Sequence, residues 1–314
     1  MADPTDTVLS GYRALTEGCG LVDHSERGKL ALTGPDAKAF LQGQVTNDVE
    51  GLEPGQGCYA AFLTHKGKML GDLRVLDLGH ELLLDTERSA LQELFNMIRR
   101  FKVGSDVELH KRTLEMGLLS LIGPDSWSVV GAARLPNEHD NVRTEIGGRT
   151  VLLVATDLGV DVFTQAADTN AVRAALDVPT VDEEVAEIVR VESGRPRYGI
   201  DLDDGVIPQE AGLNERAVSF TKGCYVGQET VARLFYRGKP NRHLRGIKLS
   251  AEAAPGDELR LGEKVVGKLA SVAVSPTRGP IALALARREA EPGAPVAVGD
   301  GAVPALVVAL PFSE

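Results

Sequence analysis

The sequence predicts an α+β protein made of two consecutive units of one element order, followed by a small antiparallel β-barrel. Three observations carry that prediction. The string Gly-Pro-Asp follows an apolar run at Gly34-Pro35-Asp36 and again at Gly123-Pro124-Asp125, an offset of 123 − 34 = 89 residues. Around each copy the order strand, helix, strands, helix can be read, which marks a duplicated unit. After His243, short β-rich runs alternate with Gly and Pro turns, as in a small barrel.

Taken in order, residues 28–32 form the first strand and Gly34-Pro35-Asp36 opens a helix. Proline is tolerated there because its missing N–H would have had no intrahelical partner. Ala39, Phe40 and Leu41 turn that helix toward the core. Residues 59–63 and 69–78 read as a strand pair joined by His65-Lys66-Gly67-Lys68, and 82–84 begin another strand. Leu91, Leu94, Phe95, Ile98 and Phe101 recur at three- and four-residue steps, predicting a helix. In the second unit, 118–122, 151–155 and 161–165 are strands and 168–176 is a helix. A further helix spans 181–192 and ends at Gly194-Arg195-Pro196. Residues 201–227 are rich in Gly, Pro and polar side chains, as expected of a site-building loop. The barrel strands are expected at 244–249, 264–274, 281–285, 295–298 and 305–310.

Composition excludes several classes. The formal charge of −11, from 34 Lys and Arg against 45 Asp and Glu, disfavours general affinity for nucleic acid or an anionic membrane. A local basic stretch, Arg233, Arg237, Lys239, Arg242 and Arg245, reads either as a solvated loop or as an anion-binding rim. Residues 1–6 are acidic and lack the hydrophobic run of a secretory signal, and no apolar stretch is long enough to span a bilayer. Cys19, Cys58 and Cys224 show no disulfide framework. A cytoplasmic location is expected. The six histidines have no metal-motif spacing, so no metal site is expected.

The densest unusual segment is 190–237. It holds Arg195-Pro196-Arg197-Tyr198-Gly199, then Ile207-Pro208-Gln209-Glu210-Ala211-Gly212, then Lys222-Gly223-Cys224-Tyr225-Val226-Gly227-Gln228-Glu229. Gly223 and Gly227 permit positive φ and let a ligand approach the main chain. A helix starting at Gln228 would leave Cys224 near its N-terminal end, where the helix dipole and the Lys222 ammonium favour thiolate. Such a sulfur can serve as nucleophile, sulfur carrier or metal ligand; its alternative is a buried small hydrophobe.

These strings resemble the signature of the YgfZ family, relatives of the glycine-cleavage aminomethyltransferase GcvT. The likeness extends to Leu32-Thr33-Gly34-Pro35-Asp36-Ala37, Thr46-Asn47-Asp48-Val49, Ser275-Pro276 and Pro311-Phe312. The resemblance implies a three-lobed GcvT-like architecture, with region 1–240 around a central pocket and region 241–314 as the barrel. It implies binding of tetrahydrofolate or a one-carbon derivative, and support for the assembly or repair of iron–sulfur enzymes through partner proteins. Glu210 matches the family's pterin-anchoring glutamate, because one carboxylate can accept an N–H and an amine side by side. Tyr198 would add an aromatic wall or a hydroxyl contact, and Arg195 or Arg197 would meet the glutamyl tail. Three cysteines cannot complete an ordinary four-thiolate cluster site.

One departure bears on catalysis. Aminomethyltransferases show two acids where this chain has Gly71-Asp72, and glycine cannot exchange a proton. Three readings stay open: a folate-dependent maintenance factor using Cys224 and Lys222, a folate-dependent one-carbon transferase using Asp72, and a scaffold that binds no ligand.

Overall fold

The computed structural model describes residues 4–313, so Met1, Ala2 and Asp3 of the acidic N-terminus lie outside the described residues. The described residues open with a helix, α1 (Pro4–Glu17), and a short strand, β1 (Gly20–Asp23), which the sequence pattern did not announce. The first unit follows as β2 (Gly28–Thr33), α2 (Ala37–Gln42), β3 (Gly57–Leu63), β4 (Met69–Asp77), β5 (Leu82–Thr86), α3 (Leu91–Phe101) and β6 (Glu108–Lys111). The second runs β7 (Met116–Ile122), α4 (Ser126–Val129), β8 (Asn141–Ile146), β9 (Arg149–Ala155), β10 (Gly159–Gln165) and α5 (Thr169–Leu176). Strands β6 and β8 are additions to the expected order; both are short and largely polar, so neither shows an apolar run.

The two sheets are antiparallel and share one strand order, β3-β4-β5-β2-β6 and β8-β9-β10-β7-β1. Position by position, β6 in the first sheet matches β1 in the second. Yet β1 precedes β2 in the chain, and β6 precedes β7. Each unit therefore lends the strand in front of it to the other unit's sheet. The repeated Gly-Pro-Asp marks where the lent strand enters. A Cβ on Gly34 would lie 2.2 Å from the Asp106 carbonyl oxygen, and one on Gly123 would lie 2.3 Å from that of Gly18. Both glycines have positive φ, +104° and +124°, and no L side chain fits either place. Asp36 and Asp125 then stand at the helix N-caps and donate their N–H groups to those same two carbonyls.

Strand alternation sorts the residues into layers. On the outer face of the first sheet, Leu30, Leu32, Phe62, Leu73, Val75 and Leu84 pack against Phe40, Leu41, Leu94 and Ile98 of α2 and α3. The second sheet repeats this with Leu119, Leu121, Leu153 and Val162 against Trp127, Val172 and Leu176. The inner faces meet through Leu76, Leu83, Leu118, Leu152, Val154 and Phe163. Since both faces are covered, the strands read as continuous apolar runs rather than alternating ones.

The third region begins with α6 (Glu183–Glu192), which packs between α1 and the barrel. It continues through a long loop segment with α7 (Asn214–Ala217) and α8 (Gln228–Arg237). Leu202, Val206, Leu213, Val218, Tyr225 and Val231 fasten this segment onto Ala61, Leu63 and Met69 of the first unit. The barrel comprises β11 (Arg242–Leu249), β12 (Glu258–Leu261), β13 (Lys264–Ser275), β14 (Gly279–Arg287), β15 (Pro295–Val298) and β16 (Val303–Val308), closed in the order β11-β14-β13-β12-β15-β16. Among the described residues no helix is long and apolar enough to cross a membrane.

Candidate functional site

A cavity of about 250 Å³ lies where the two inner sheet faces meet the third region, and Asp72, Tyr198, Arg195 and Arg197 all line it. Asp72 and the segment 195–198, more than a hundred residues apart in the sequence, thus converge. Tyr59 and Arg74 are directly opposed across β3 and β4, as are Ala61 and Asp72, so all four share the inner face. The Tyr59 hydroxyl donates to Asp72 Oδ2 at 2.6 Å. Burial pushes the Asp72 carboxyl up to about 6, against the lowering effect of that hydrogen bond. Burial and the Asp72 charge together raise the Tyr59 phenol well above its ordinary value, so Tyr59 stays the donor. Gly71 points the other way: a Cβ there would lie 2.6 Å from Phe62 and Ala90 in the core. A carboxylate at 71 could not reach the cavity on this backbone.

Around Asp72 stands a paired ion network. Asp85 is fully buried and accepts from Arg27 (3.1 and 3.0 Å) and Arg74 (2.7 Å); although burial opposes ionisation, the two guanidinium groups hold it well below the usual carboxylate range. Arg74 also reaches Asp161, which accepts from Ser120 at 2.6 Å. His24 bridges Ser120 (2.8 Å) and Glu183 (2.7 Å). The hydrogen bond to His24 leads the causes that lower Glu183 to about 2.

The expected tail-binding role of the two arginines meets an obstacle here. Arg195 Nε is bonded to Asp157 at 2.7 Å. Arg197 holds Glu87 (3.1 Å), Glu183 (2.7 Å) and Glu187 (2.9 Å). Carboxylates of the protein already offset the charge of both guanidinium groups, which weakens their pull on another anion. Tyr198 is half-buried, packs on the cores of both the first unit and the third region, and its phenol is pushed up to about 12 by burial.

Glu210 does not line this cavity. It is buried, and its carboxylate accepts Arg242 Nε (3.1 Å) and Nη2 (2.8 Å) and the Ile207 N–H (3.3 Å). Its carbonyl accepts the Leu244 N–H at 2.8 Å. The paired geometry expected to meet a pterin is therefore filled by the Arg242 fork, and Glu210 ties the loop segment to β11.

The loop 222–229 is tethered at both ends. Lys222 Nζ donates to the carbonyls of Gln42 (2.6 Å), Val45 (2.8 Å) and Asn47 (2.7 Å), and burial brings it down to about 8. Tyr225 is buried, Val226 N–H donates to the Gly43 carbonyl at 3.2 Å, and Gly227 at φ +85° caps α8. Gly227 also lies against the 64–67 turn, where a Cβ would meet the Thr64 carbonyl at 2.6 Å. Gly223 does not adopt positive φ. Between the tethers Cys224 is exposed. The expected use of Lys222 beside Cys224 is corrected: the ammonium is spent on three backbone carbonyls, and its charge also acts on the Cys58 thiol, which burial pushes up to about 12. A larger cavity of about 640 Å³ lies beside this loop, lined by Val226, Leu70 and the end of α3. It contains none of the converging residues, so the central cavity is the better candidate.

The GCVT N-terminal domain family matches residues 3–147. A protein of Yersinia enterocolitica titled tRNA-modifying protein YgfZ is 31% identical over 252 residues, covering 74% of this chain and 73% of that one. The chain belongs to the YgfZ family of GcvT-related proteins. An aminomethyltransferase of Rubrobacter xylanophilus is 29% identical over 320 residues, covering 97% of this chain and 86% of the relative. The crystal structure of aminomethyltransferase T of the glycine cleavage system from Bartonella henselae superposes with a TM-score of 0.87 at 22% identity, covering 98% of this chain and 90% of that one. The GcvT-like architecture implied by the sequence resemblance is thereby found in the structure.

Sequence reasoning missed Tyr59, Arg27, Arg74, His139 and Arg216, all of which line the cavity. A signal existed for one of them. Arg74 interrupts the apolar run of β4 as Asp85 interrupts that of β5, and a charge inside a fully buried strand needs a partner.

Proposed function

We propose that this chain binds a reduced folate in the central cavity and supports the assembly or repair of iron–sulfur enzymes, with the Cys224 thiol as the group it presents to partners. The observation that carries the folate half is the buried Asp72–Tyr59 pair facing a cavity at the junction of the three regions. Asp72 Oδ2 takes the Tyr59 hydroxyl, which leaves Oδ1 for a ligand. About 250 Å³ falls below the ~300–1,000 Å³ of a site for a whole drug-sized molecule. It suits a bicyclic ring, with the tail directed outward. A reduced pterin supplies ring N–H groups, and Asp72, poised near neutrality, can hold or release a proton beside them. The exposed position of Cys224 between two fixed tethers supports the second half. At a net charge of −11, action on a modifying enzyme fits better than a direct grip on RNA. In this reading residues 1–240 carry both functions and 241–314 buttress them through the Glu210–Arg242 pair.

Isothermal titration with tetrahydrofolate tests the first half: heat of binding is expected, and none at near-millimolar ligand overturns it. Cys224→Ser should leave that heat unchanged while abolishing support of iron–sulfur enzyme activity in cells lacking the wild-type protein. Full support by the serine variant removes the thiol from the proposal.

The Asp72 geometry favours a second reading, a folate-dependent aminomethyl- or methyltransferase in which Asp72 is the acid–base group. Turnover of a one-carbon donor that disappears in Asp72→Asn would establish it.

A further inference from the structure

Three non-glycine residues among those described have positive φ: His139 (+72°), Asp177 (+50°) and Ala302 (+48°). Asp177 caps the end of α5 and Ala302 lies in the β15–β16 turn, and both are exposed. His139 alone is buried. A side chain is rarely held in this backbone conformation unless its surroundings dictate it, and such residues gather at ligand sites.

The surroundings here are firm. His139 N–H donates to the Ala155 carbonyl at 2.8 Å, and Ala155 N–H returns to the Asp140 carbonyl at 2.9 Å. Asn141 N–H donates to the Gly55 carbonyl at 2.7 Å, and its side chain donates to the Gln56 carbonyl at 3.0 Å. The turn is thus pinned to β9 on one side and to the first unit on the other.

The imidazole fixed by this turn belongs to the cavity wall, with its ring centre 6.4 Å from that of Tyr59. Neither Nδ1 nor Nε2 has a hydrogen-bond partner in the protein. The nearest carboxylate oxygen, Glu138 Oε1, is 3.6 Å from Nε2, too far for a hydrogen bond, and that carboxylate is taken by Arg216. Burial first, then the charges of Arg74 and Arg216, lower the ring to about 3 and keep it neutral. A neutral imidazole has one donor and one acceptor. Leaving both unused in a buried site is costly, and the strained backbone adds to that cost.

We propose that His139 is a ligand-binding residue of the central cavity, whose free ring nitrogens meet an uncharged nitrogen heterocycle bearing N–H and C=O groups. A pterin is a member of that class, so the inference rests on the folate reading and names a residue that recognises the ring. The ion network around it is already paired, which makes this neutral group suited to an uncharged ring rather than to an anion.

The test uses His139→Asn, because asparagine tolerates positive φ but has a shorter side chain. Tetrahydrofolate affinity by isothermal titration should fall about tenfold or more, while the ligand-free variant melts at the same temperature as wild type or higher. A purely structural histidine predicts the reverse pattern, a lower melting temperature with unchanged affinity, and that result overturns the proposal. If wild type itself gives no heat, the folate reading falls and the inference falls with it; if wild type binds and the variant binds equally, only the inference falls. The ¹⁵N shifts of the His139 ring in wild-type protein give a check that needs no variant. They should move when tetrahydrofolate is added to a binding-competent sample, and unmoved shifts at saturation overturn the assignment.

Discussion

The two units share a strand order, a Gly-Pro-Asp helix start and a borrowed edge strand, yet the faces they turn toward each other differ. Applying the 89-residue offset to β2 and β7 and following the cross-strand registers pairs Lys29 with Leu118, Arg74 with Leu152, Asp85 with Phe163 and Asp72 with Thr150. In the other sense, Ala31 and Leu83 of the first unit correspond to Ser120 and Asp161 of the second. At the Lys29, Arg74 and Asp85 registers the first unit carries ionisable groups where the second is apolar, and Arg74 lies over the Phe163 ring at 5.7 Å. The loop segment of the third region packs on the first unit around Ala61, Leu63 and Met69, and Asp72 is buried while Thr150 is exposed. The cavity thus draws Asp72 and Tyr59 from the first unit and His139 and Asp161 from the second.

Exchanging residues between equivalent registers tests this contrast. The largest effect is expected from Arg74→Leu, the second unit's residue at that register. It strips a guanidinium from two carboxylates, one fully buried, and should cost about 3–5 kcal/mol in urea denaturation. The double change with Asp85→Phe should be no more stable, since it also takes from buried Arg27 the carboxylate it donates to twice. A double variant that regains most of the loss would show that Arg74 and Asp85 act as an isolated pair, replaceable by the second unit's Leu and Phe.

Asp72→Asn acts in the opposite direction. The folded carboxyl sits at about 6 and the unfolded one near 4. The native state thus bears a penalty that is full above the folded value and gone below the unfolded one. The variant should be more stable by about 2 kcal/mol at pH 7.5, and the advantage should fade as pH drops from 6 to 4. A gain that is flat across this window would mean that Asp72 is not the titrating group.

The smallest change is Ser120→Ala, which gives the second unit the first unit's residue. It removes the hydroxyl donor to Asp161 and the contact with His24. A loss of about 1 kcal/mol is expected, read from the shift in the urea midpoint. No measurable loss would show that Arg74 alone satisfies Asp161.

Much of this scaffold could be read from the chain. The paired Gly-Pro-Asp strings located both units, because a glycine that lets another backbone pass so closely has few substitutes. Asp72, Tyr198, Arg195 and Arg197 were recognisable as candidates and do meet in one cavity. What escaped were properties set by partners far along the chain. Helix α1 was passed over, although Tyr12 and Leu15 are buried against α6, because its other positions are mostly polar. Tyr59 joins Asp72 only through the β3–β4 register. Glu210 and Arg242 were both visible, but nothing local says that one will occupy the other. Lys222 was read against its neighbour Cys224, whereas three carbonyls from residues 42–47 claim its charge, and carbonyl groups leave no trace in side-chain patterns.

The reciprocal loan of β1 and β6 has a consequence for how this protein can be cut or assembled. Neither half is a self-sufficient module: excising residues 1–25 would open the sheet edge of a unit that starts about ninety residues later, and a fragment ending before residue 108 would leave the first sheet with a bare margin. During synthesis β1 must wait for β7 to emerge before it finds its neighbour. The groove between the units accordingly holds a charge pair with one partner from each, Arg74 from the first and Asp161 from the second, and separating them would break that pair.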